Sequence, residues 1–595
     1  MLNKKSTIRH LVSRRAFIIG AGNLSLFFIL AGKMFYMQFI KKNKYRLLSD
    51  KNRIKTMVVA PSRGQIYDIA KRVIAKNSAC FRLLLDKSIT PFFIKEVKTI
   101  AQLLELNCNQ IQELNNRIKK AGRRIPTIII DCLSWKQISV IEEQKEILKS
   151  LFIDAGNVRH YEYGEDAAHL LGYMGRANEN IKVDDLIFAD NNFKIGKDGV
   201  ERYYEGELRG KFGYKEIEVN AYGNYVKELS EIHPSKGSEL YLNIDAELQR
   251  KIVPYLNNNG CSAIVMNCLN GGILSCCSVP SYDPNNFNSL SEKNWTHLIQ
   301  NPNKPLMNKT IHSLYPPGSI FKLITILAAL ESGIDSSYII KCNGGPALGG
   351  NSFRCSKKDG HGSLNMHDAI MYSCNIYIFE IAKLIGANKI ISTAKKFGFG
   401  SKTGIDLPSE VSGFVPTIDW KKKEFNSQWS LGDTFNLSIG QGFLLCTPMQ
   451  LARFITGIAN NGKLYTPRIL NSEVRYTQLD IKKEHITFLK EALYNTVNKL
   501  GGTGYSSRLD QGGISMAGKT GTAQVMAKKS INDNLSRSDI ERDKRNHAIF
   551  TGYAPSDQPK YTVTVYYDHG GGGGKVAAPI ARAILEQVLA RYPII

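Results

Sequence analysis

The longest apolar stretch lies near the N-terminus. Ala16 to Gly32 reads AFIIGAGNLSLFFILAG, and after Lys33 the run resumes as MFYMQFI to Ile40. Ala16–Gly32 as a helix rises about 25 Å, short of a bilayer core of about 30 Å. With Met34–Ile40 added, and Lys33 reaching along its own stem to the interface, the segment is long enough to span. No small-residue cleavage site follows it, and it is too long for a signal-peptide core, so an uncleaved anchor over 16–40 is predicted. No other stretch approaches eighteen apolar residues, so the rest of the chain is expected to be a soluble body tethered to a membrane.

From residue 41 to 235, short strand-like runs (Thr56–Ala60, Phe81–Leu85, Pro126–Ile130) mix with runs of helical period (Ile94–Leu106, Ile111–Lys120, Lys136–Leu148). Two charged tracts stand out: Arg63-Gly64-Gln65-Ile66-Tyr67-Asp68, and Gly196–Gly213, where Gly196, Gly199 and Gly206 punctuate acids and bases. Such punctuation suits tight turns holding an ordered polar network, and equally a surface loop. His233-Pro234-Ser235-Lys236-Gly237 reads as a linker. Beyond it, LYLNID and SAIVMNCLNGGILSCCSVPS read as strands, the latter as a pair joined by an Asn270-Gly271 hairpin turn. Helical patterns fill 316–460. Strands return at Ser515–Val525, Ala548–Tyr553 and Tyr561–Tyr567, and a last helix covers Ala577–Arg591. Five glycines at 570–574 read as a flexible loop, and Ala527–His547, with six bases and four acids, as a solvated insertion or a partner site. Strands at both ends with helices between predict an α+β fold, an antiparallel sheet closed by the C-terminus and flanked by a helical lobe. The resulting divisions are 1–15 (tail), 16–40 (anchor), 41–235 and 236–595.

Charge narrows the partners. The 595 residues carry 78 Lys plus Arg against 53 Asp plus Glu, a formal +25, which favours something anionic. Residues 1–50 hold ten of the bases and one Asp, so +9 of that charge sits around the anchor. Lys4, Lys5, Arg9, Arg14 and Arg15 precede it and place Met1 in the cytoplasm; Lys41, Lys42, Lys44 and Arg46 behind it soften that bias. Ser13-Arg14-Arg15-Ala16-Phe17 also resembles a twin-arginine export signal, although the segment is more hydrophobic than such signals usually are. No basic tract is interleaved with aromatics, so no nucleic acid is expected. A composition of 43% hydrophobic and 22% charged residues excludes disordered, collagen-like and disulfide-scaffold proteins. The cysteines number eleven. Outside the cytoplasm disulfides come first to mind, whereas Cys268, Cys276 and Cys277 suit small buried hydrophobes.

Three tracts carry chemistry. In Tyr315-Pro316-Pro317-Gly318-Ser319-Ile320-Phe321-Lys322 the prolines and glycine stop the preceding segment, and an apolar helix follows to about Gly333. Ser319 in its first turn shares a face with Lys322 three residues on. A serine hydroxyl needs a base within hydrogen-bond reach, and a lysine kept neutral by burial and a nearby cation is one. A second S-x-x-K, Ser392 to Lys395, reads as a solvated helix face. In Tyr372-Ser373-Cys374-Asn375, with helical patterns on both sides, Ser373 and Asn375 reach one cleft only if the helix breaks there, and Cys374 then points away. In Ala517–Gln524 a two-residue period puts Thr520 and Thr522 on one face, Gly518 and Gly521 permit close approach, and Lys519 attracts a carboxylate. A decoy, Lys402-Thr403-Gly404, leads to Pro408, which argues against an interior strand.

S-x-x-K, S-x-N and K-T-G in this order resemble the active-site set of penicillin-binding proteins and serine β-lactamases. Tyr282–Asn285, Asn308, Gly440-Gln441-Gly442, Thr447-Pro448 and Gly552–Pro555 look like tracts of the class B penicillin-binding proteins. Arg63-Gly64, His169–Tyr173 and Gly196–Gly210 resemble the pedestal of that class. The likeness covers nearly the whole chain and is strongest to the branch that works in lateral wall elongation and cell-shape maintenance. It implies a single transmembrane helix, an elongated α/β pedestal of the dimerisation type over 41–235, and a penicillin-binding transpeptidase domain over 236–595. The implied activity is a peptidoglycan DD-transpeptidase with a DD-carboxypeptidase side activity, needing no cofactor for catalysis. Ser319 would be the nucleophile, Lys322 the acylation base, Ser373 a proton relay and Asn375 the holder of the substrate amide. Lys519, Thr520 and Thr522, with Gly521 between them, would bind the terminal carboxylate, and the N–H groups of Ser319 and Thr522 would form the oxyanion hole. Implied partners are stem peptides, β-lactams, the membrane, a SEDS-type glycosyltransferase and other elongation-complex membrane proteins. The implied location is the bacterial inner membrane with the catalytic domain in the periplasm. A β-lactam sensor usually has several membrane helices, a non-catalytic scaffold would not need intact Ser319, Lys322 and Lys519, and a β-lactamase or DD-carboxypeptidase would not need the pedestal.

Cys342, Cys355, His361 and Cys374 fall within 33 residues. Three thiolates and an imidazole make a closed tetrahedral zinc set. Some members of the elongation branch carry a structural zinc beside the second motif, and His361 and Cys374 look like two of its ligands. The alternative is a Cys342–Cys355 disulfide with Cys374 buried: compartment favours the disulfide, geometry the zinc.

Overall fold

The computed structural model describes residues 3–43, 53–87, 89–120, 126–176, 193–219, 225–257, 260–288, 292–347, 353–509, 513–525 and 544–593. Most of the charged tract Ala527–His547, residues 527–543, lies outside the described residues. An N-terminal helix, Asn3–Phe35, continues as a π turn over Tyr36–Ile40. Its Arg14–Ile40 portion is long and apolar enough to cross a membrane once.

The chain packs as two compact units, Met1–Ser62 with Gly210–Gly237, and Arg63–Arg209 with Ser238–Ile595. In the first unit Ile54–Val59, Gly213–Val219 and Tyr225–Ile232 form a three-stranded antiparallel sheet. The linker tract closes this unit: Ser235 bridges Lys211, and the Gly237 N–H donates to the Ser62 carbonyl.

The second unit opens with a five-stranded sheet built on Val73–Leu85, which pairs with Thr127–Leu133 on one side and Leu151–Tyr161 on the other. Helices Phe93–Leu103, Cys108–Lys120 and Trp135–Glu143 supply apolar side chains to its core, among them Val97, Ile100, Leu114 and Ile141 against Leu83, Leu85 and Ile129. These helices follow the expected periods. Leu151–Tyr161 does not announce itself, because its burial follows no two-residue alternation. LYLNID also differs from expectation. Only Leu240–Tyr241 is a strand, and it pairs parallel with Ile66–Tyr67 of this sheet.

The two charged tracts meet as one network. The Glu201 carboxylate, fully buried, accepts from Arg63 Nε (2.6 Å) and Arg159 Nε (2.6 Å). Arg63 also donates to the Glu201 carbonyl and to Glu205, whose carboxylate accepts the Gly196 N–H. Gly172 lies so close to the Asp198 carbonyl that a Cβ there would fall 1.8 Å from it, which fixes the glycine. Two short helices, Gly199–Tyr203 and Glu205–Arg209, with the turns that join them, and not a surface loop, occupy Gly196–Gly210.

The second sheet of this unit has five antiparallel strands in the order Ile273–Val279, Cys261–Asn267, Tyr561–Tyr567, His547–Ala554, Ala517–Ala523. The C-terminus closes it as expected, and helix Ala577–Arg591 buries Ala581, Ile584, Leu585 and Val588 in the same core as Val563, Val565 and Phe550. The helical lobe shares another core, with helices Lys322–Glu331, Asn375–Lys396, Pro448–Ala459 and Lys483–Asn498 contributing Leu323, Ile324, Phe379, Phe454 and Leu489. Ala517–Ala523 is the edge strand, and it carries the third motif.

Candidate active site

The three motifs converge. Pro317 already has helical dihedrals (φ −68, ψ −16), and Gly318 takes φ +57, which starts a 3₁₀ turn over Gly318–Ile320 before the helix Lys322–Glu331. Ser319 thus sits in the turn that enters the helix, half-buried, one step before the α-helix itself. The turn is pinned from two sides. The Gly318 N–H donates to the Gly440 carbonyl (2.9 Å), and a Cβ on Gly318 would lie 2.7 Å from the Thr522 carbonyl oxygen.

The helix breaks at the second motif as its chemistry requires. One helix ends at Met371, the next starts at Asn375, and Ser373 between them takes φ +55. A left-handed serine is uncommon and is held by its surroundings. Lys322 Nζ supplies much of that hold: it donates to the Ser373 carbonyl (2.7 Å), Ser373 Oγ (3.1 Å) and Asn375 Oδ1 (2.7 Å). Among the described residues no hydrogen bond joins Lys322 to Ser319.

Lys322 and Lys519 are each 0% exposed, and neither pairs with a carboxylate among the described residues. Burial pushes Lys322 down to about 8, against the opposing pull of the Cys374 and Cys355 sulfurs. Burial and then the neighbouring Lys322 cation hold Lys519 well below its ordinary value. Two neighbouring buried lysines with depressed values are the kind of groups that act as a base or receive an anion.

Thr520 and Thr522 share a face, as the strand period predicts. Thr520 Oγ donates to Thr503 Oγ (2.7 Å), and Thr522 Oγ accepts from the Gly573 N–H (3.4 Å). The Thr522 carbonyl accepts from Gln441 Nε2 (3.2 Å). Thr503, Gln441 and Gly573 were not among the expected site residues. Gln441 had a signal in the Gly440-Gln441-Gly442 tract. The Gly570–Gly574 run is the opposite of the flexible loop expected: Gly573 is buried and packed on this strand. Both decoys stay outside. Ser392 and Lys395 are exposed on helix Asn375–Lys396, and Lys402–Gly404 forms a turn whose Thr403 and Gly404 N–H groups donate to Glu410.

Cys374 points away from the cleft. It caps helix Asn375–Lys396, accepting the Tyr377 N–H at its sulfur (3.5 Å). The ligand atoms of Cys342, Cys355, His361 and Cys374 all lie within 4.8 Å of one another. His361 Nδ1 is 3.6 Å from Cys342 Sγ and 3.4 Å from Cys355 Sγ, and the Cys355 and Cys374 sulfurs are 3.9 Å apart. A tetrahedral zinc with ordinary bond lengths has S···S edges of about 3.8 Å and S···N edges of about 3.5 Å. The donor set therefore fits that ion. Cys342, Cys355 and Cys374 form no disulfide, so the Cys342–Cys355 bond is absent.

Residues 261–586 match the family described as the penicillin binding protein transpeptidase domain, and residues 58–242 the penicillin-binding protein dimerisation domain. The chain is 32% identical to the peptidoglycan D,D-transpeptidase MrdA of Haemophilus influenzae, covering 98% of this chain and 93% of that one. To the protein of that name from Escherichia coli K12 it is 30% identical, covering 97% and 94%. It superposes on the penicillin-binding protein PBP2 of Helicobacter pylori, solved in complex with MreC, with a TM-score of 0.81 at 30% identity, covering 91% of this chain and 99% of that one. With its S-x-x-K, S-x-N and K-T-G residues gathered at one sheet edge and both family domains matched in order, this chain belongs to the penicillin-binding protein transpeptidases.

Proposed function

We propose that this protein is a peptidoglycan D,D-transpeptidase that cross-links stem peptides during wall elongation and cell-shape maintenance and is a target of penicillin. The observation that carries the reading is the pair of buried, carboxylate-free lysines beside the Ser319 turn. Lys519, with Thr520 and Thr522, seats the terminal carboxylate of a D-Ala-D-Ala stem, and Asn375 holds its amide. Neutral Lys322 takes the Ser319 proton, the oxygen attacks the carbonyl, and the N–H groups of Ser319 and Thr522 receive the oxyanion, each such donor worth about 3–4 kcal/mol. Ser373 passes the proton to the departing D-Ala amine. An amine of a neighbouring stem then attacks the ester, its proton returns through the same base, and Ser319 is released as the 4→3 cross-link forms. Water in place of the amine gives the DD-carboxypeptidase side reaction. A β-lactam acylates Ser319 and stays.

The test uses the purified full-length protein. Fluorescent penicillin is expected to label it stably, and a thioester donor with a D-amino-acid acceptor to give the transfer product. Ser319→Ala is expected to abolish both. Label retained in Ser319→Ala would overturn the assignment, and hydrolysis with no transfer would shift it to a carboxypeptidase.

The five bases ahead of the apolar segment, Lys4, Lys5, Arg9, Arg14 and Arg15, support a single pass of the inner membrane with the catalytic domain in the periplasm. On that reading 1–15 is the cytoplasmic tail, 41–235 the pedestal and 236–595 the transpeptidase domain. The partner is a SEDS-type glycosyltransferase met through anchor and pedestal, as the family likeness implies.

Cys342, Cys355, His361 and Cys374 would hold a structural zinc. Its chemistry there is a clamp on the broken helix that presents Ser373 and Asn375, with no part in proton transfer. Elemental analysis is expected to find one zinc per chain, lost in His361→Ala. A zinc-free parent protein would sink this assignment.

A further inference from the structure

Among the described residues the edge strand Ala517–Ala523 has a ladder partner on one side, His547–Ala554. An edge strand that must hold catalytic groups within a fraction of an ångström needs support from elsewhere. Backbone supplies it on both faces. On one, a Cβ at Gly521 would meet Ile320 Cγ1 and the Pro317 carbonyl, each at 3.2 Å, so the Ser319 turn presses against the strand. On the other lies Gly573. A Cβ there would fall 2.3 Å from the Gly521 carbonyl oxygen and 2.4 Å from that of Ile549, the cross-strand partner of Gly521. Real Cβ atoms do not approach so closely, so the strand would have to shift.

The turn is itself anchored. The Gly571 N–H donates to the Asn546 carbonyl (2.7 Å), and the Gly573 carbonyl accepts from Ala578 (2.9 Å) in the buried helix Ala577–Arg591. The Gly573 N–H reaches Thr522 Oγ. Next door, a Cβ at Gly574 would fall 2.4 Å from the carbonyl oxygen of Thr503, whose Oγ accepts from the Thr520 hydroxyl. The peptide joining Gly521 to Thr522 is thus clamped between the nucleophile's turn and the glycine turn. Gly572 provides an internal control, since a Cβ there meets nothing within 4 Å.

We infer that Gly573 is a positioning residue, whose missing side chain sets the height of the Thr522 N–H relative to Ser319. The inference rests on the reading of Thr522 as an oxyanion donor. It gives the glycine run a catalytic purpose that a helix-entry turn alone would not have.

The test compares the full-length protein with Gly573→Ala and Gly572→Ala. Acylation by a labelled penicillin is resolved into binding and chemical steps, and the acyl carbonyl stretch is read by infrared difference spectroscopy. Oxyanion donors polarise that carbonyl and lower its frequency. Gly573→Ala is expected to slow the chemical step about tenfold or more, with binding nearly unchanged and the carbonyl band moved up. Gly572→Ala is expected to match the parent in both. A merely structural role would lower the labelled fraction but leave rate and band of the surviving sites untouched, which overturns the inference. Should Gly573→Ala not fold, insertion of one glycine after Gly572 loosens the turn without adding a side chain, and the same upward band shift is expected; an unmoved band again overturns it. A parent band that is already unpolarised would sink the oxyanion reading itself, and the inference with it, whereas a polarised parent band indifferent to Gly573 sinks the inference alone.

Discussion

Lys322→Ala is expected to slow acylation by labelled penicillin about 10²–10⁴-fold, the contribution of one well-placed general base. Lys322→Arg should lose as much, because a guanidinium does not give up its proton and its fork cannot repeat three bonds made by one nitrogen. The pH profile carries the same signature. With Lys322 pushed down to about 8 by burial, about one molecule in a hundred holds the neutral amine at pH 6. The acylation rate should therefore climb about tenfold per unit up to pH 7, then bend and level above about 8. A flat profile between pH 6 and 8 would falsify the assignment of Lys322 as the base. Folding runs the other way. Because Lys322 releases its proton at about 8 when folded and at 10.5 when exposed, its burial costs stability in full below about 8, and the cost fades as pH rises toward 10.5. Lys322→Met removes that cost. An inactive Lys322→Met that melts no lower than the parent would separate lost chemistry from lost structure.

How legible this site was depended on what kind of residue carries each part. Ser319, Lys322, Ser373, Asn375 and Lys519 advertise themselves, because the nucleophile, base and anion seat proposed for them admit few side chains, and the structure brings their tracts together. The break at Ser373 was legible too, since Ser373 and Asn375 cannot share a helix face. Its cost is met by Lys322 Nζ, which bonds the carbonyl and hydroxyl of Ser373 at once. The gathering of Cys342, Cys355, His361 and Cys374 could be read from donor types in the sequence, and their ligand atoms do lie within 4.8 Å of one another. Backbone contacts were not legible. A run of five glycines reads as freedom because glycine alone carries no side chain to predict a partner. Whether it is loose or wedged depends on carbonyls supplied from elsewhere, by Gly521 and Ile549. The same limit hid Leu151–Tyr161, whose pairing with Val73–Leu85 is fixed by ladder hydrogen bonds rather than by a pattern of apolar side chains. It also hid the true place of Leu240–Tyr241, a two-residue strand whose neighbour lies over 170 residues earlier in the chain.

Glu201→Ala is expected to destabilise the protein by about 3–5 kcal/mol, the cost of breaking a buried ion pair by removing one partner. The carboxylate is 0% exposed and lies between Arg63 and Arg159, both nearly buried themselves. Removing it takes the shared acid from two guanidiniums in a dry site, where Arg63 keeps Glu205. Glu201→Gln keeps the shape but not the charge, so it should lose nearly as much; a small effect would mean that hydrogen bonding, not charge, holds the turns. The pH dependence follows from the sign of the shift. Burial alone would raise the Glu201 carboxyl, but Arg63 and Arg159 outweigh it and hold it below its ordinary 4.5. Its contribution is therefore complete above about 4.5 and disappears as the pH falls through the lower folded value. The gap between parent and Glu201→Ala, read by urea titration, should be full at pH 7 and shrink in acid. Acylation by penicillin, measured per folded molecule, should remain that of the parent, because the Glu201 carboxylate is bound by Arg63 and Arg159 and, among the described residues, by no group of the Ser319 site. A variant that unfolds at the parental urea concentration at pH 7 would show that these turns are held by backbone alone, and that the charges in Gly196–Gly210 serve something other than the fold.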